Sequence, residues 1–459
     1  MVGILLDGRE CGFAANAFAE DVAHFMARDG QPTHLFLLVP TPVHAPRLLH
    51  TVRRPDRPAA RLESLSTIES LHTQVLDDRT LGIAVAALAT QLESQITAHR
   101  LTALHAVGLD LAAQVAHAVH LKTGLPYFVT PRHPDLCREQ AGFRARAATV
   151  LQSTQAVLVF DDRTQRLLEE RFGVVRTQVE VLSRGIDLET FRPLPRPKRV
   201  KLAESLLGRR ELRARLEGCD WLQSYIVLVA ESREDRHGFE QFLFALPELL
   251  RLQPDLQVIA IGAGDPATDG LRAALAAGSA DLLHDVIATS ELCQPLVEHL
   301  ERVQLEHRAE DWWNAAARIE PERRVRFAGR VTRAEFVALL RLSDVFVLPG
   351  HSVRLSSQML FEALACGVLP LASEHAGIAG LAQVVADAIS PEIARLSVLR
   401  GDAPPVREIE EKLGRMARLR PELTEPLRAL AAATFDGTRA AADLRRVYTA
   451  VAPRAATAP

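Results

Sequence analysis

Between Ser356 and Ser373 the chain reads SSQMLFEALACGVLPLAS: two hydroxyl residues open an apolar helical pattern, one carboxylate sits inside it, and a Cys-Gly pair ends it. Ser356 or Ser357 is suited to cap a helix starting near Gln358. The first amides and the positive end of the helix dipole then face an anion. Glu362 falls one or two turns in, among Met, Leu, Phe and Ala, where packing alone asks for no charge. Gly367 is expected to end the helix in the left-handed conformation that favours glycine. Amides for a phosphate and a carboxylate for hydroxyl groups together suit a nucleotide-sugar.

Other chemistry-bearing residues are dispersed. Arg233, Arg236 and His237 follow the apolar run YIVLVA and supply local cations; Gly262 and Gly264 lie in VIAIGAGDP, by sequence alone a tight turn. His105, in ALHAVGLD, ends a predicted strand facing the cleft, and by its sequence alone is a plain strand-end residue. His133 is a weaker candidate. Cys11, Cys137, Cys219, Cys293 and Cys366 are scattered without metal or disulfide spacing, and no nucleophile-elbow motif is present. No metal site is expected.

Positioning these groups requires a framework, and the pattern supplies one. Short apolar runs alternate with helical stretches, which predicts parallel βαβ units. Strands are expected over Gly3–Leu6, His34–Val39, Ala103–Val107, Pro126–Val129 and Ala156–Phe160, then over Tyr225–Ala230, Gln257–Gly262, Val325–Ala328, Val345–Leu348 and Leu369–Ala372. The fold class is α/β, with two Rossmann-like domains facing across a cleft. At 459 residues the chain exceeds the ~250–300 over which one core grows. The first domain is assigned to 1–192, and a Pro- and Arg-rich linker that holds no helix to 193–220. The second domain spans 221–425, with a helical insertion about 271–320, and a C-terminal helix and disordered tail occupy 426–459. Trp312 and Trp313 in the insertion pack back on their own domain or, as the alternative, mark helices near 290–318 as a protein-docking surface.

Lys+Arg 54 against Asp+Glu 57 leaves a formal net charge of -3, so nucleic acid is not expected as a partner. No signal-peptide pattern and no membrane-span run is found, which favours a cytoplasmic protein with at most peripheral contact at the inner membrane face. The arginines of HAPRLLHTVRRPDRPAAR (Arg47, Arg53, Arg54, Arg57, Arg61) suit anionic lipid or a phosphate-bearing acceptor, but a solvated loop is the preferred reading.

Several separated stretches resemble one family. FEALACGVLPLAS resembles the Glu-Ala-Met-Ala-Cys-Gly-x-Pro-Val segment of family 4 retaining glycosyltransferases, VEVLSRGIDLETFRP their Asn-Gly-Val-Asp turn and Phe-x-Pro lead, and RVRFAGRVTRAEFVALLRLSDVFVLP their Gly-x-Val loop with the helix and strand that follow. GLPYFVTPRHPDL is similar to their Gly-x-Pro strand and His loop. The resemblance implies the GT-B architecture. It also implies metal-independent transfer from a nucleoside diphosphate-sugar, with no further cofactor, to a saccharide, lipid or protein acceptor. On it, Glu362 binds the ribose, Ser356, Ser357 and Gln358 meet the phosphates or sugar, and Gly329, Arg330 and Val331 face the base. Arg236, or His237 in its place, neutralises the leaving diphosphate with Arg233 nearby. Gly12 and His105 lie on the acceptor side.

The departures carry weight. The family's second acid, eight positions before the one matching Glu362, is replaced by Arg354, and nothing from Gly350 to Phe361 is acidic. Its Arg/Lys pair is broken in VAESREDRHGFEQFL, its turn Asn is Arg184, its Glu near Gly380 is gone, and its N-terminal Gly-Gly loop is reduced to Gly12. Losing one electrostatic contact of this kind costs ~2.7–4 kcal/mol of barrier. Two functions therefore stand: an active transferase in which Arg354 receives an anionic donor group, or a catalytically inactive glycosyltransferase-like scaffold partnering an active enzyme.

Overall fold

The computed structural model describes residues 1–7, 22–28, 30, 33–39, 47–53, 77–132, 135–136, 138–160, 162–182, 185–206, 212, 215–230, 236–262, 270, 273, 282, 285, 324–349, 358–373, 378–400 and 406–451. They fall into two compact units, Met1–Asp187 with Phe435–Pro459, and Leu188–Thr434.

Unit 1 alternates β1 (Val2–Asp7), β2 (Thr33–Val39), β3 (Arg47–Arg53), α1 (Asp78–His99), β4 (Ala103–Val107), α2 (Leu111–Thr123), β5 (Tyr127–Thr130), α3 (Ala141–Ser153), β6 (Ala156–Val159), α4 (Asp162–Phe172) and β7 (Val179–Val181). The sheet runs β3-β2-β1-β4-β5-β6-β7, parallel except for the antiparallel β2–β3 edge. Its inner strands β1, β4, β5 and β6 are buried, largely apolar runs whose neighbouring residues serve opposite cores. Tyr127 and Val129 join Leu88, Leu92 and Val115 on one side, while Phe128 joins Ile4, Leu6 and Leu158 on the other.

Unit 2 contains α5 (Arg196–Leu206), β8 (Tyr225–Ala230), α6 (Arg236–Leu252), β9 (Leu256–Ile261), β10 (Val325–Gly329), α7 (Arg333–Leu342), β11 (Val345–Leu348), α8 (Gln358–Ala365), β12 (Leu369–Ser373), α9 (Ile378–Ala388), α10 (Pro391–Leu396), β13 (Val398–Leu399) and α11 (Val406–Thr434). The order β10-β9-β8-β11-β12-β13 is wholly parallel. It reverses between β8 and β11, and ligands of such sheets sit beyond the strands' carboxyl ends at that point.

The chain then returns. In α12 (Gly437–Val451), Ala441, Leu444, Val447 and Tyr448 recur at helical spacing and pack into the second core of unit 1.

Three expectations need correction. The supposed linker holds α5, because its Pro197 occupies the second helical position, where a missing N–H costs nothing. That helix is fastened to unit 2 by the buried Arg199–Asp344 pair at 3.0 Å, with Asp344 Oδ2 also accepting from the Ile226 amide at 2.9 Å. The boundary placed at 192 falls at 187, since residues 188–192 are bound into unit 2: Arg428 donates to the carbonyls of Leu188 (2.7 Å) and Phe191 (2.6 Å), and Arg341 to that of Arg192 (3.2 Å). The arginine-rich loop contains β3, whose seven residues pair from Thr33↔Arg53 to Val39↔Arg47; Arg54, Arg57 and Arg61 lie outside the described residues. So do nearly all of the insertion at 271–320, with Trp312 and Trp313, and the tail beyond 451. Among the described residues no helix is long and apolar enough to cross a membrane.

Candidate functional site

Helix α8 leaves the carboxyl end of β11 and is buried on nearly every side, with Gln358 at 3% and Glu362 at 0% exposure. It ends as the sequence predicts. Gly367 has φ 70, its amide donates to Leu364 at 2.9 Å, and the Val368 amide donates to Ala363 at 2.9 Å, which is the Schellman pattern. Arg428 Nη1 donates to the Ala365 carbonyl at 3.0 Å, placing a cation at the negative end of the helix. Beside it, the Cys366 thiol is pushed up by burial and by the Glu362 charge, which keeps it protonated and inert.

The Glu362 carboxylate does not stand open. Arg333 donates to both its oxygens, Nη1 to Oε2 at 2.8 Å and Nη2 to Oε1 at 2.5 Å. This bidentate geometry is the strong form of the Arg–carboxylate pair. The two partners differ in access: the Arg333 side chain is 25% exposed and that of Glu362 0%. Phe191 stacks on the guanidinium, its ring centre 4.8 Å from Cζ. Arg333 is the first residue of α7, fixed there by a capping box in which Glu335 N donates to Thr332 Oγ1 (3.3 Å) and Thr332 N to Glu335 Oε2 (2.6 Å). A cation at a helix N-terminus opposes the dipole, and the Glu362 charge offsets that penalty.

The loop between β10 and α7 lies on the same carboxyl edge. Gly329 turns with φ 70, the Gly262 amide donates to its carbonyl at 2.9 Å, and Arg215 Nη1 donates to Ala328 O at 2.8 Å. Arg215 crosses so close to Gly329 that any Cβ there would collide with it. Arg330 is exposed and Val331 partly so.

No protein-family model matches the sequence, and no curated protein does. Solved structures do match. Sucrose-phosphate synthase from Thermosynechococcus elongatus superposes with a TM-score of 0.61 at 14% identity, covering 98% of this chain and 98% of that one. A glycosyltransferase from Rickettsia africae gives 0.60 at 11%, covering 99% and 98%. HepE from Anabaena, solved in complex with UDP and glucose, gives 0.59 at 14%, covering 98% and 99%. The chain has the GT-B fold.

On this GT-B frame the predicted residues separate. Arg236 and His237 open α6 after β8, and Gln358 opens α8 after β11, so these helices leave the two strands flanking the switch point. Arg233, Gly264, Arg354, Ser356 and Ser357 lie outside the described residues, as do Gly12 and His133. His105 is the exception to the acceptor-side expectation. Its ring is 0% exposed, with Nδ1 bonded to the Tyr448 hydroxyl at 2.7 Å and Nε2 to Thr130 Oγ1 at 2.8 Å. Burial pushes its pKa down to about 3, so it is a neutral core histidine rather than an acceptor contact. Among the described residues no group of three or more His, Cys, Asp or Glu could hold a metal ion. Sequence reasoning overlooked Arg333, although an arginine directly after the capping Thr332 stands where the helix dipole disfavours it.

Proposed function

We propose that the chain is a retaining glycosyltransferase that moves a sugar from a nucleoside diphosphate-sugar to a hydroxyl acceptor. The observation that carries this is the end-to-end likeness to glycosyltransferases, HepE with UDP and glucose among them, combined with a donor-type helix, α8, at the switch point of unit 2. The donor binds along the carboxyl edge of unit 2, with its base toward Gly329, Arg330 and Val331 and its diphosphate toward the N-termini of α6 and α8. Arg236, or His237 in its place, neutralises the departing diphosphate together with Arg233, so that fixed protein cations stabilise the charge that develops there. Arg354 receives an anionic group on the donor sugar. The acceptor is a saccharide, lipid or protein hydroxyl held by unit 1 through residues other than His105, whose ring is enclosed.

A second reading has its own support. A Glu362 carboxylate closed from solvent and engaged by Arg333, with no acid from Gly350 to Phe361, suits a protein that keeps the architecture as a binding scaffold for an active partner. The purified chain incubated with UDP-, GDP- and ADP-sugars, assayed for nucleotide release and for transfer to acceptor mixtures, tests both. Release or transfer that Glu362→Ala abolishes supports the enzyme. Tight nucleotide-sugar binding without turnover in any mixture supports the scaffold.

A further inference from the structure

The two members of the Arg333–Glu362 pair present themselves unequally. With Glu362 at 0% and Arg333 at 25% side-chain exposure, a molecule arriving from solvent meets the Arg333 side chain and not the carboxylate. We propose that Arg333 is the ligand-contacting residue of this site, donating to the oxygen acceptors of the bound nucleotide, and that Glu362 is the positioning residue that holds it. The inference rests on the donor reading above and redistributes the roles within it.

Three features fit a preorganised contact. The bidentate bonds at 2.8 and 2.5 Å fix the guanidinium plane, and Phe191 stacked at 4.8 Å removes its remaining freedom, so little side-chain entropy is lost when a ligand binds. The position at the head of α7, disfavoured for a cation, holds because Glu362 reaches it from the neighbouring helix. That position directly follows the Gly329–Val331 loop, the backbone assigned to the base. An arginine carries donors only, so its targets on the nucleotide are acceptors: ribose hydroxyl, phosphate or base carbonyl oxygens. The shared chemistry is an oxygen acceptor on the nucleotide.

The test is isothermal titration of UDP, GDP and ADP, each beside its 2′-deoxy form and the parent nucleoside. The proteins are wild type, Arg333→Lys, Glu362→Gln and the double variant Arg333→Met/Glu362→Met. The double variant replaces the pair with apolar side chains of similar length, and circular dichroism confirms that each protein folds. For the nucleotide that wild type binds, the double variant is expected to lose about 10- to 100-fold in affinity, with Arg333→Lys recovering part of it. A loss that disappears with the nucleoside locates the contact on phosphate; a loss that persists with the nucleoside but disappears with the 2′-deoxy form locates it on ribose, and one that persists in both locates it on the base. Glu362→Gln is expected to weaken binding while leaving the ribo-to-deoxy ratio at its wild-type value. Wild-type affinity in the double variant overturns the proposal. So does a ribo-to-deoxy ratio that collapses in Glu362→Gln while Arg333→Lys binds normally, since the carboxylate is then the contact. A wild-type chain that binds none of the nucleotides overturns the donor reading as well, and the two failures are thereby told apart.

Discussion

Gly367→Ala perturbs the end of the helix that carries Glu362. At φ 70 a residue with a side chain pays about 1–2 kcal/mol for the left-handed backbone. The added Cβ would also stand 2.7 Å from Thr424 Cγ2 and 2.8 Å from the Thr424 carbonyl oxygen. The carbonyl belongs to the α11 backbone and does not turn aside, so overpacking adds about 1–3 kcal/mol. Reduced freedom of the unfolded chain returns about 0.4–1 kcal/mol. The net destabilisation centres near ~3 kcal/mol on these terms. Trp221 is buried in unit 2, so its fluorescence during urea unfolding, read with Trp312 and Trp313 replaced by Phe in every variant, follows unit 2. Adding Thr424→Ala removes the Cγ2 contact and should recover only the smaller part, because the carbonyl remains. A loss below about 0.5 kcal/mol for Gly367→Ala, within the range of an ordinary surface substitution, refutes the left-handed, backbone-crowded end described for α8.

Three further outcomes follow from buried charge. Arg333→Met removes the bidentate partner of the buried Glu362 and should destabilise unit 2 by about 3 kcal/mol, the low end for a broken buried pair because Arg333 is partly exposed, whereas Arg333→Met/Glu362→Met should lie within ~1 kcal/mol of wild type; urea midpoints decide. His105 is held neutral with a folded pKa of about 3 against an ordinary 6.5, so its contribution is present above 6.5 and drains away as pH falls toward 3, at up to ~1.4 kcal/mol per pH unit; His105→Gln should flatten that slope in unit 1, read by hydrogen exchange across pH. Glu410 has the opposite sign: burial first and the Glu248 charge second push its pKa up to about 7 from 4.5, so stability present below 4.5 is lost as pH rises to 7. Solvent screening of this partly exposed group keeps the loss below ~1 kcal/mol, and Glu410→Gln should abolish it in pH-dependent melts.

The parallel strands were legible because strands buried on both faces are short apolar runs whatever their partners, as YIVLVA at β8 and VFVL at β11 illustrate. The stop at Gly367 was legible for a local reason, glycine's freedom at positive φ. Elements whose composition points elsewhere were not. α5 begins with Arg-Pro-Lys-Arg and is held by the tertiary Arg199–Asp344 pair, and β3 is an arginine-bearing edge whose existence depends on pairing with β2. The site divided the same way. Glu362 stood out as a lone charge in an apolar helix, but its partner lies 29 residues earlier on another helix, and no local pattern announces that contact. His105 was assigned to the acceptor side because the residue that encloses it, Tyr448, is 343 positions away.

The central claim is that the carboxyl edge of unit 2 binds a nucleoside diphosphate, and hydrogen–deuterium exchange with and without UDP, GDP or ADP tests it most directly. The account predicts slowed exchange of the Gly329–Val331 and Gln358–Glu362 amides on addition of the nucleotide that binds. Unchanged exchange in both stretches, with every nucleotide at millimolar concentration, would contradict it.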